Sequence, residues 1–241
     1  MSEVILLLAA IVLGAAVQGA VGIGFSIVVA PLAMVQFGTA IAVPLLLLLN
    51  TTVSVAAVRP SLWRTEAGLI VPAIIACFAG MTAGIIVYPA FSERTVLFLT
   101  ALFLALGLVS SLMTISANAG PWISRLAAFG AGLGTVWAAI PGPLIILGFL
   151  AAGRTGQQAR KIIQNVSIIT FGAGVGLHLV SGPATFLQTP NLGAFIAAAA
   201  LGALLGRWGG AALPQSVLIG IIRIICVAAI AILVRRALLL D

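Results

Sequence analysis

Two glycine- and proline-rich stretches interrupt long apolar segments of the chain, and their backbone could bind a small anion. The first covers residues 18–26, QGAVGIGFS, and the second covers residues 137–143, WAAIPGP. Glycine permits left-handed backbone, and proline ends a helix or starts the next one. A helix that starts at such a break presents free N–H groups with a partial positive charge. Such helix ends are suited to binding anions.

Polar side chains within other apolar segments could complete the site. Asn50, Thr51 and Thr52 lie in one segment, and Asn165 and Ser167 lie in another. These groups could hydrogen-bond the oxygens of a substrate, or they could tie helices together; the sequence leaves both open. The predicted substrate-binding set is Gln18, Gly22, Gly24, Phe25, Ser26, Asn50, Thr51, Pro141, Gly142, Pro143, Leu144, Asn165 and Ser167.

Two further polar residues lie in apolar segments. An arginine inside a membrane segment is a candidate functional group, and Arg223 could attract anions through a polar route. Its closeness to the start of its segment favours the alternative, that it extends to the lipid headgroups. His178 is interpreted as a boundary residue rather than a proton relay.

The acidic residues are as informative as the basic ones. All four lie outside the centres of the apolar segments: Glu3, Glu66, Glu93 and Asp241. Paired carboxylates for acid–base catalysis, metal-ligand clusters and nucleotide-binding loops are missing from the sequence. We therefore expect no enzyme, no catalytic residues, no bound metal and no cofactor. The polar groups within the apolar segments are therefore positive or neutral, which favours anions over cations as ligands.

Composition assigns these segments to a membrane. The 241 residues are 63% hydrophobic and only 6% charged, and a water-soluble fold could not hide so much apolar surface. Long apolar runs predict an all-α, multi-pass membrane protein rather than a β-barrel. The net charge of +7 is interpreted as basic residues that flank membrane segments and orient the chain. We expect the lipid bilayer as a partner and no nucleic acid.

Eight apolar segments are visible, and two of them are too long for one crossing. The first, 4–37, would form a helix of roughly 51 Å and the fifth, 122–152, one of roughly 46 Å, against a hydrocarbon core of about 30 Å. We predict that each is broken into two half-helices around a non-helical turn. The alternative is one long tilted or kinked helix.

Similar markers recur in the same order, so the eight segments divide into two repeats of four. The predicted boundaries are 1–118 and 119–241, within one membrane domain. Each half contains a broken segment, a segment with an asparagine and hydroxyl residues, and a segment with glycines four residues apart, Gly80/Gly84 and Gly202/Gly206. We interpret those glycine pairs as helix-packing positions.

The number of basic residues on each side of the membrane distinguishes two topologies for the long segments 1 and 5. If all eight segments cross, five basic residues fall on each side, with Arg223 left out of the count because it lies inside a segment. If segments 1 and 5 instead return to their starting side, the counts become seven and three, as the positive-inside rule favours. Each half then has three crossings, so the halves are inverted relative to each other. Both termini are then predicted to lie outside the cytoplasm.

The motifs resemble the TauE/SafE sulfite-exporter family of anion permeases. Residues 18–32 are similar to the first family signature, residues 140–147 (IPGPLIIL) to the second, and residues 201–207 with Leu213–Pro214 to the C-terminal pattern. Many members have three consecutive glycines where this chain has Gly24-Phe25-Ser26, and often an asparagine where it has Pro141. The resemblance implies transport of small sulfur-containing or organic anions, such as sulfite or sulfonates, across the plasma membrane of a prokaryote.

The sequence therefore predicts a secondary transporter whose partner is a small anionic substrate. Without a membrane carboxylate, we expect electrogenic movement or coupling through the substrate's own proton. A channel-like anion pore and a membrane subunit of a larger complex are the alternatives. A homodimer is left open.

Overall fold

The computed structural model describes residues 2–58, 60–112, 121–182, 184–209 and 215–240, and within these ranges the fold contains helices and no strands. The expectation of an all-α fold is thus confirmed for the described residues. The helices are α1 (Ser2–Val21), α2 (Phe25–Phe37), α3 (Thr39–Ala57), α4 (Leu62–Thr65), α5 (Ala67–Val87), α6 (Glu93–Leu112), α7 (Pro121–Ala138), α8 (Gly142–Ala151), α9 (Gly156–Ser181), α10 (Leu192–Gly209) and α11 (Gln215–Leu238), with short 3₁₀ turns at Tyr88–Ala90 and Thr185–Gln188.

Six helices among the described residues are long and apolar enough to cross a membrane: α1, α3, α5, α6, α9 and α10. Large apolar side chains also point outwards, such as Ile75 in α5 and Ile224 in α11. In water such a surface would be costly, whereas lipid solvates it. The arrangement is compatible with a multi-pass membrane protein.

The first long apolar segment is broken, as predicted. Helix α1 ends at Val21, and α2 begins at Phe25. Between them Gly22 and Gly24 have φ angles of 95° and 136°, a region that side chains with a Cβ rarely enter. Helix α2 then folds back along α1, since a Cβ on Gly14 would contact Phe25 and Val29. With 13 residues, or about 20 Å, α2 is too short to cross a bilayer core by itself.

The fifth segment is broken in the same manner. Helix α7 ends at Ala138, and Ala139 takes a left-handed φ of 56°. Its N–H donates to the carbonyl of Thr135 at 2.9 Å, as in the αL helix terminus. Helix α8 then folds back along α7, because a Cβ on Gly148 would contact Ser124. The non-helical residues are therefore 139–141, a shorter stretch than the predicted 137–143, and Gly142 and Pro143 start the next helix.

The glycine pairs lie where helix backbones touch. A Cβ on Gly80 would overlap the carbonyl oxygen of Phe129 in α7, and a Cβ on Gly206 would overlap that of Ala16 in α1. Glycine is required at both positions because no side chain fits between the backbones. The packing interpretation of these pairs is thus confirmed, with α5 against α7 and α10 against α1.

Several predictions concern residues outside the described ranges. They are the boundary between the halves at 118/119, the charge at Arg59, the Leu213–Pro214 part of the family pattern and the position of Asp241.

Candidate functional site

The two breaks meet at one cavity of about 410 Å³. A Cβ on Gly142, at the start of α8, would lie 3.3 Å from the side chain of Ile23 in the first break. The hydroxyl of Ser26 in α2 donates to the carbonyl of Ala139 in the second break at 2.7 Å. This hydrogen bond joins residues that are 113 positions apart in the sequence. The two breaks are therefore in direct contact.

The first turns of α2 and α8 lie at this junction, and their N–H groups have no partners within their own helices. The N–H of Phe25 donates to Oε1 of Gln18 at 3.2 Å. Helix geometry leaves the next N–H groups of α2, those of Ser26 and Ile27, without a carbonyl partner in their own helix. In α8 the same holds for Gly142 and Leu144, whereas Pro143 has no N–H. Both helix starts place positive dipole ends beside the cavity.

A directed hydrogen-bond chain fixes the side chain of Asn50, the twelfth of the 19 residues in α3. Its Nδ2 donates to Ser26 Oγ at 2.9 Å and to the carbonyl of Leu46 at 2.8 Å. Since a carbonyl accepts only from N–H or O–H, the orientation of the amide is determined. Asn50 is fully buried and lines the cavity, and its Oδ1 has no hydrogen-bond partner.

Arginines supply the charge of the cavity. Arg160 in α9 and Arg223 in α11 both line it. Arg223 is held by Ser111 in α6, whose hydroxyl accepts from Nε at 3.1 Å and whose carbonyl accepts from Nη2. Arg154 also lines the cavity but is paired with Glu66 at 2.8 Å. None of the described lining residues is acidic, so the potential in the cavity is positive.

A second cavity of about 590 Å³ shares a wall with the first. Arg160 and Gly22 line both cavities, and Lys161 and Arg207 line only the second. The wall is thin, because a Cβ on Gly22 would come within 2.5 Å of the carbonyl oxygen of Arg160. Gln164 Nε2 donates to the carbonyl of Gly22 and so holds the same stretch of backbone. A row of cations thus extends from the central cavity into the second.

The structure brings many of the predicted residues to the cavity and leaves others away from it. Those that line it are Gln18, Gly22, Gly24, Ser26, Asn50, Pro141, Gly142, Pro143 and Ser167. Phe25 and Asn165 are fully buried and are not among the lining residues. Thr51 donates to the carbonyl of Leu47 in its own helix, and the side chain of Leu144 packs towards Gly130. Whether any of them binds substrate stays a prediction.

Sequence reasoning missed Arg160 and preferred a headgroup position for Arg223. In the charge count, Arg160 is one of the seven basic residues placed on the more basic side of the membrane. The signal that places it inside a helix is the capping box of Thr155 and Gln158, which starts α9 at Gly156. For Arg223 no local signal indicates Ser111 as its partner, because the two residues are 112 positions apart.

Comparison of the chain with protein-family models, with curated proteins and with solved structures finds no match.

Proposed function

We propose that this protein is a secondary transporter of small anions in a prokaryotic plasma membrane. The observation that carries the proposal is the positive cavity at the junction of two helix breaks, lined by Arg160 and Arg223. The motifs that resemble the TauE/SafE family extend it to sulfur-containing or organic anions, such as sulfite or sulfonates. Binding sites formed by interrupted helices are typical of secondary transporters.

The arginines decide the sign of the ligand. Each break offers both dipole ends, the positive starts of α2 and α8 and the negative ends of α1 and α7. Helix ends alone would therefore suit either an anion or a cation. A full charge about 6 Å from a ligand contributes about 3 kcal/mol at an effective dielectric constant of about 20. The two arginines thus outweigh the half-charges of the helix ends and favour an anion.

The packing pattern supports an inverted duplication. Helix α5 of the first half packs on α7, the first helix of the second half, and α10 of the second half packs on α1, the first helix of the first half. Helix α3 packs on its counterpart α9, and α6 packs on its counterpart α11. In this scheme the α1–α2 hairpin and the α7–α8 hairpin enter from opposite sides and meet at their tips. Substrate then binds at the interface between the halves.

The hairpins also set the proposed orientation. With α2 and α8 drawn as returning to their starting sides, the sequence count of seven basic residues on one side and three on the other applies, although one of the seven, Arg59, lies outside the described residues. The basic side is taken as cytoplasmic. The central cavity extends to Arg154 and Thr155, which precede α9 at that side. We assign the arrangement to an inward-open state, in which anions reach the breaks from the cytoplasm.

Flux measurements on the purified chain test the proposal. Proteoliposomes are assayed with sulfite, sulfate, thiosulfate, sulfoacetate and small carboxylates, with and without a pH gradient. We expect saturable flux of at least one anion and faster exchange when the same anion is present on the other side. Flux without such exchange would indicate the channel alternative. No flux of any anion would contradict the transporter proposal and leave the membrane-subunit alternative.

A further inference from the structure

The hydrogen bonds around Asn50 restrict what kind of anion can occupy the cavity. Both Nδ2 hydrogens are committed, one to Ser26 and one to the Leu46 carbonyl. The Ser26 hydroxyl is committed in turn to the Ala139 carbonyl, so it accepts from Asn50 and cannot donate back to it. The acceptor Oδ1 of Asn50 is left buried without a donor. An unmet buried acceptor costs about 1–3 kcal/mol.

The neighbouring amide of Gln18 is oriented in the opposite sense. Its Oε1 is occupied by the N–H of Phe25, so the Nε2 group, a donor, is the end left for a ligand. Gln18 lines the same cavity and is 5% exposed. Donors from Gln18, the helix starts and the arginines would all meet ligand oxygens. Asn50 Oδ1 differs from them because it would meet a ligand hydrogen.

The second cavity repeats the pattern. Gln164 lines this cavity and is 4% exposed, and its Nε2 donates to the carbonyl of Gly22. Its Oε1 is also buried without a hydrogen-bond partner. Two buried acceptors without a donor thus lie in neighbouring cavities, beside the cations Arg160 and Lys161. A fully deprotonated oxyanion without hydrogens would leave both unmet and would be repelled by their lone pairs.

We infer that the ligand is a small anion that also carries a hydrogen-bond donor, an O–H or N–H that donates to Asn50 Oδ1. Hydroxy- and amino-sulfonates, short hydroxy acids and singly protonated oxyanions belong to this class. The inference rests on the proposed function and narrows its substrate class. It assigns Asn50 a role in selectivity, separate from the charge that the arginines supply.

Matched anions test the inference on the full chain in detergent by titration calorimetry. Isethionate is compared with propane-1-sulfonate, and glycolate with propionate, because each pair exchanges a hydroxyl for a methyl group at constant charge. We expect the hydroxylated member of at least one pair to bind about tenfold more tightly, as one buried hydrogen bond predicts. Equal binding within both pairs, or no binding of either hydroxylated anion, would overturn the inference.

Two variants test whether Asn50 causes the preference for hydroxylated anions. Asn50→Leu removes the acceptor and should bring the ratio within each pair close to one. Ser26→Ala breaks the same Asn50–Ser26 bond but keeps Oδ1, so the preference should persist. A preference retained in Asn50→Leu would overturn the role of Asn50. The unmodified protein still tests the substrate class if Asn50→Leu does not fold.

The liposome assay separates the two proposals. The two matched pairs are added to the liposome panel, and anion flux without a preference for the hydroxylated member of either pair overturns this inference and leaves the transporter proposal intact. Absence of flux for every anion in the panel overturns the transporter proposal itself.

Discussion

Gly22→Ala is the substitution that tests the first break most sharply. Gly22 has a φ of 95°, and an added Cβ would lie 2.5 Å from the carbonyl oxygen of Arg160. Real Cβ contacts start near 3.0 Å and are ordinary from 3.4 Å, so the backbone of Arg160 would have to move by about 0.5 to 0.9 Å. Left-handed backbone without glycine costs about 1–3 kcal/mol, and overpacking costs about as much again.

We expect the Gly22→Ala protein either to unfold at a lower temperature or to keep its fold with the backbone of Arg160 displaced between the two cavities. The total penalty is about 2–6 kcal/mol. Arg160 lines both cavities, so a shift of its backbone would change both. Anion flux in proteoliposomes should therefore fall at least tenfold even where the folded fraction is unchanged. Thermal unfolding followed by tryptophan fluorescence reports the stability, and flux per folded molecule reports the site.

Gly176→Ala is the matched control. Gly176 lies in α9, like Arg160, and nothing lies within 4 Å of its added Cβ. Alanine there should leave flux unchanged and stability unchanged or slightly raised. If Gly22→Ala behaved like Gly176→Ala in both assays, the left-handed break and the thin wall at Arg160 would be refuted.

Three further substitutions test the charges and the packing. Arg223→Gln should weaken anion binding about a hundredfold, as the loss of a charge contribution of about 3 kcal/mol predicts. Arg94→Gln, which removes an exposed charge beside Phe98, should not weaken it, and equal effects of the two substitutions would contradict the place of Arg223 at the cavity. Glu66→Gln releases Arg154 from its 2.8 Å ion pair and should raise anion affinity about two- to fivefold at low salt, with less gain at high salt; an unchanged salt dependence would count against it. Gly80→Ala should lower the unfolding free energy by about 1–3 kcal/mol, as measured by thermal unfolding, because its Cβ would overlap the Phe129 carbonyl; a neutral effect would contradict the close approach of α5 and α7.

The breaks could be predicted from the sequence because they depend on local chemistry. Glycine at Gly22 and Gly24 supplies the positive φ angles, and a run of more than 30 apolar residues cannot cross a bilayer core of about 30 Å as one straight helix. For the second break the prediction is less accurate, since the sequence indicates residues 137–143 and the non-helical residues are 139–141. Its left-handed residue is Ala139, not a glycine, and tertiary contacts hold it there through the hydroxyl of Ser26.

The charged part of the site could not be predicted, because it depends on helix packing. Arg160 and Arg223 are 63 positions apart in the sequence and meet only when α9 and α11 enclose the same cavity. The orientation of Asn50 likewise follows from Ser26 and Ala139, residues of two other segments. Periodicity and composition report which residues are apolar. They do not report which polar side chains the fold will bring together.

Locating a bound anion tests the central claim most directly. Crystals of the full chain grown with selenite, a heavier analogue of sulfite, would reveal the anion by anomalous scattering from selenium. The account predicts a peak in the central cavity, between the starts of α2 and α8 and within reach of Arg160 or Arg223. A peak only at the outer surface, with the central cavity empty at saturating selenite, would contradict it.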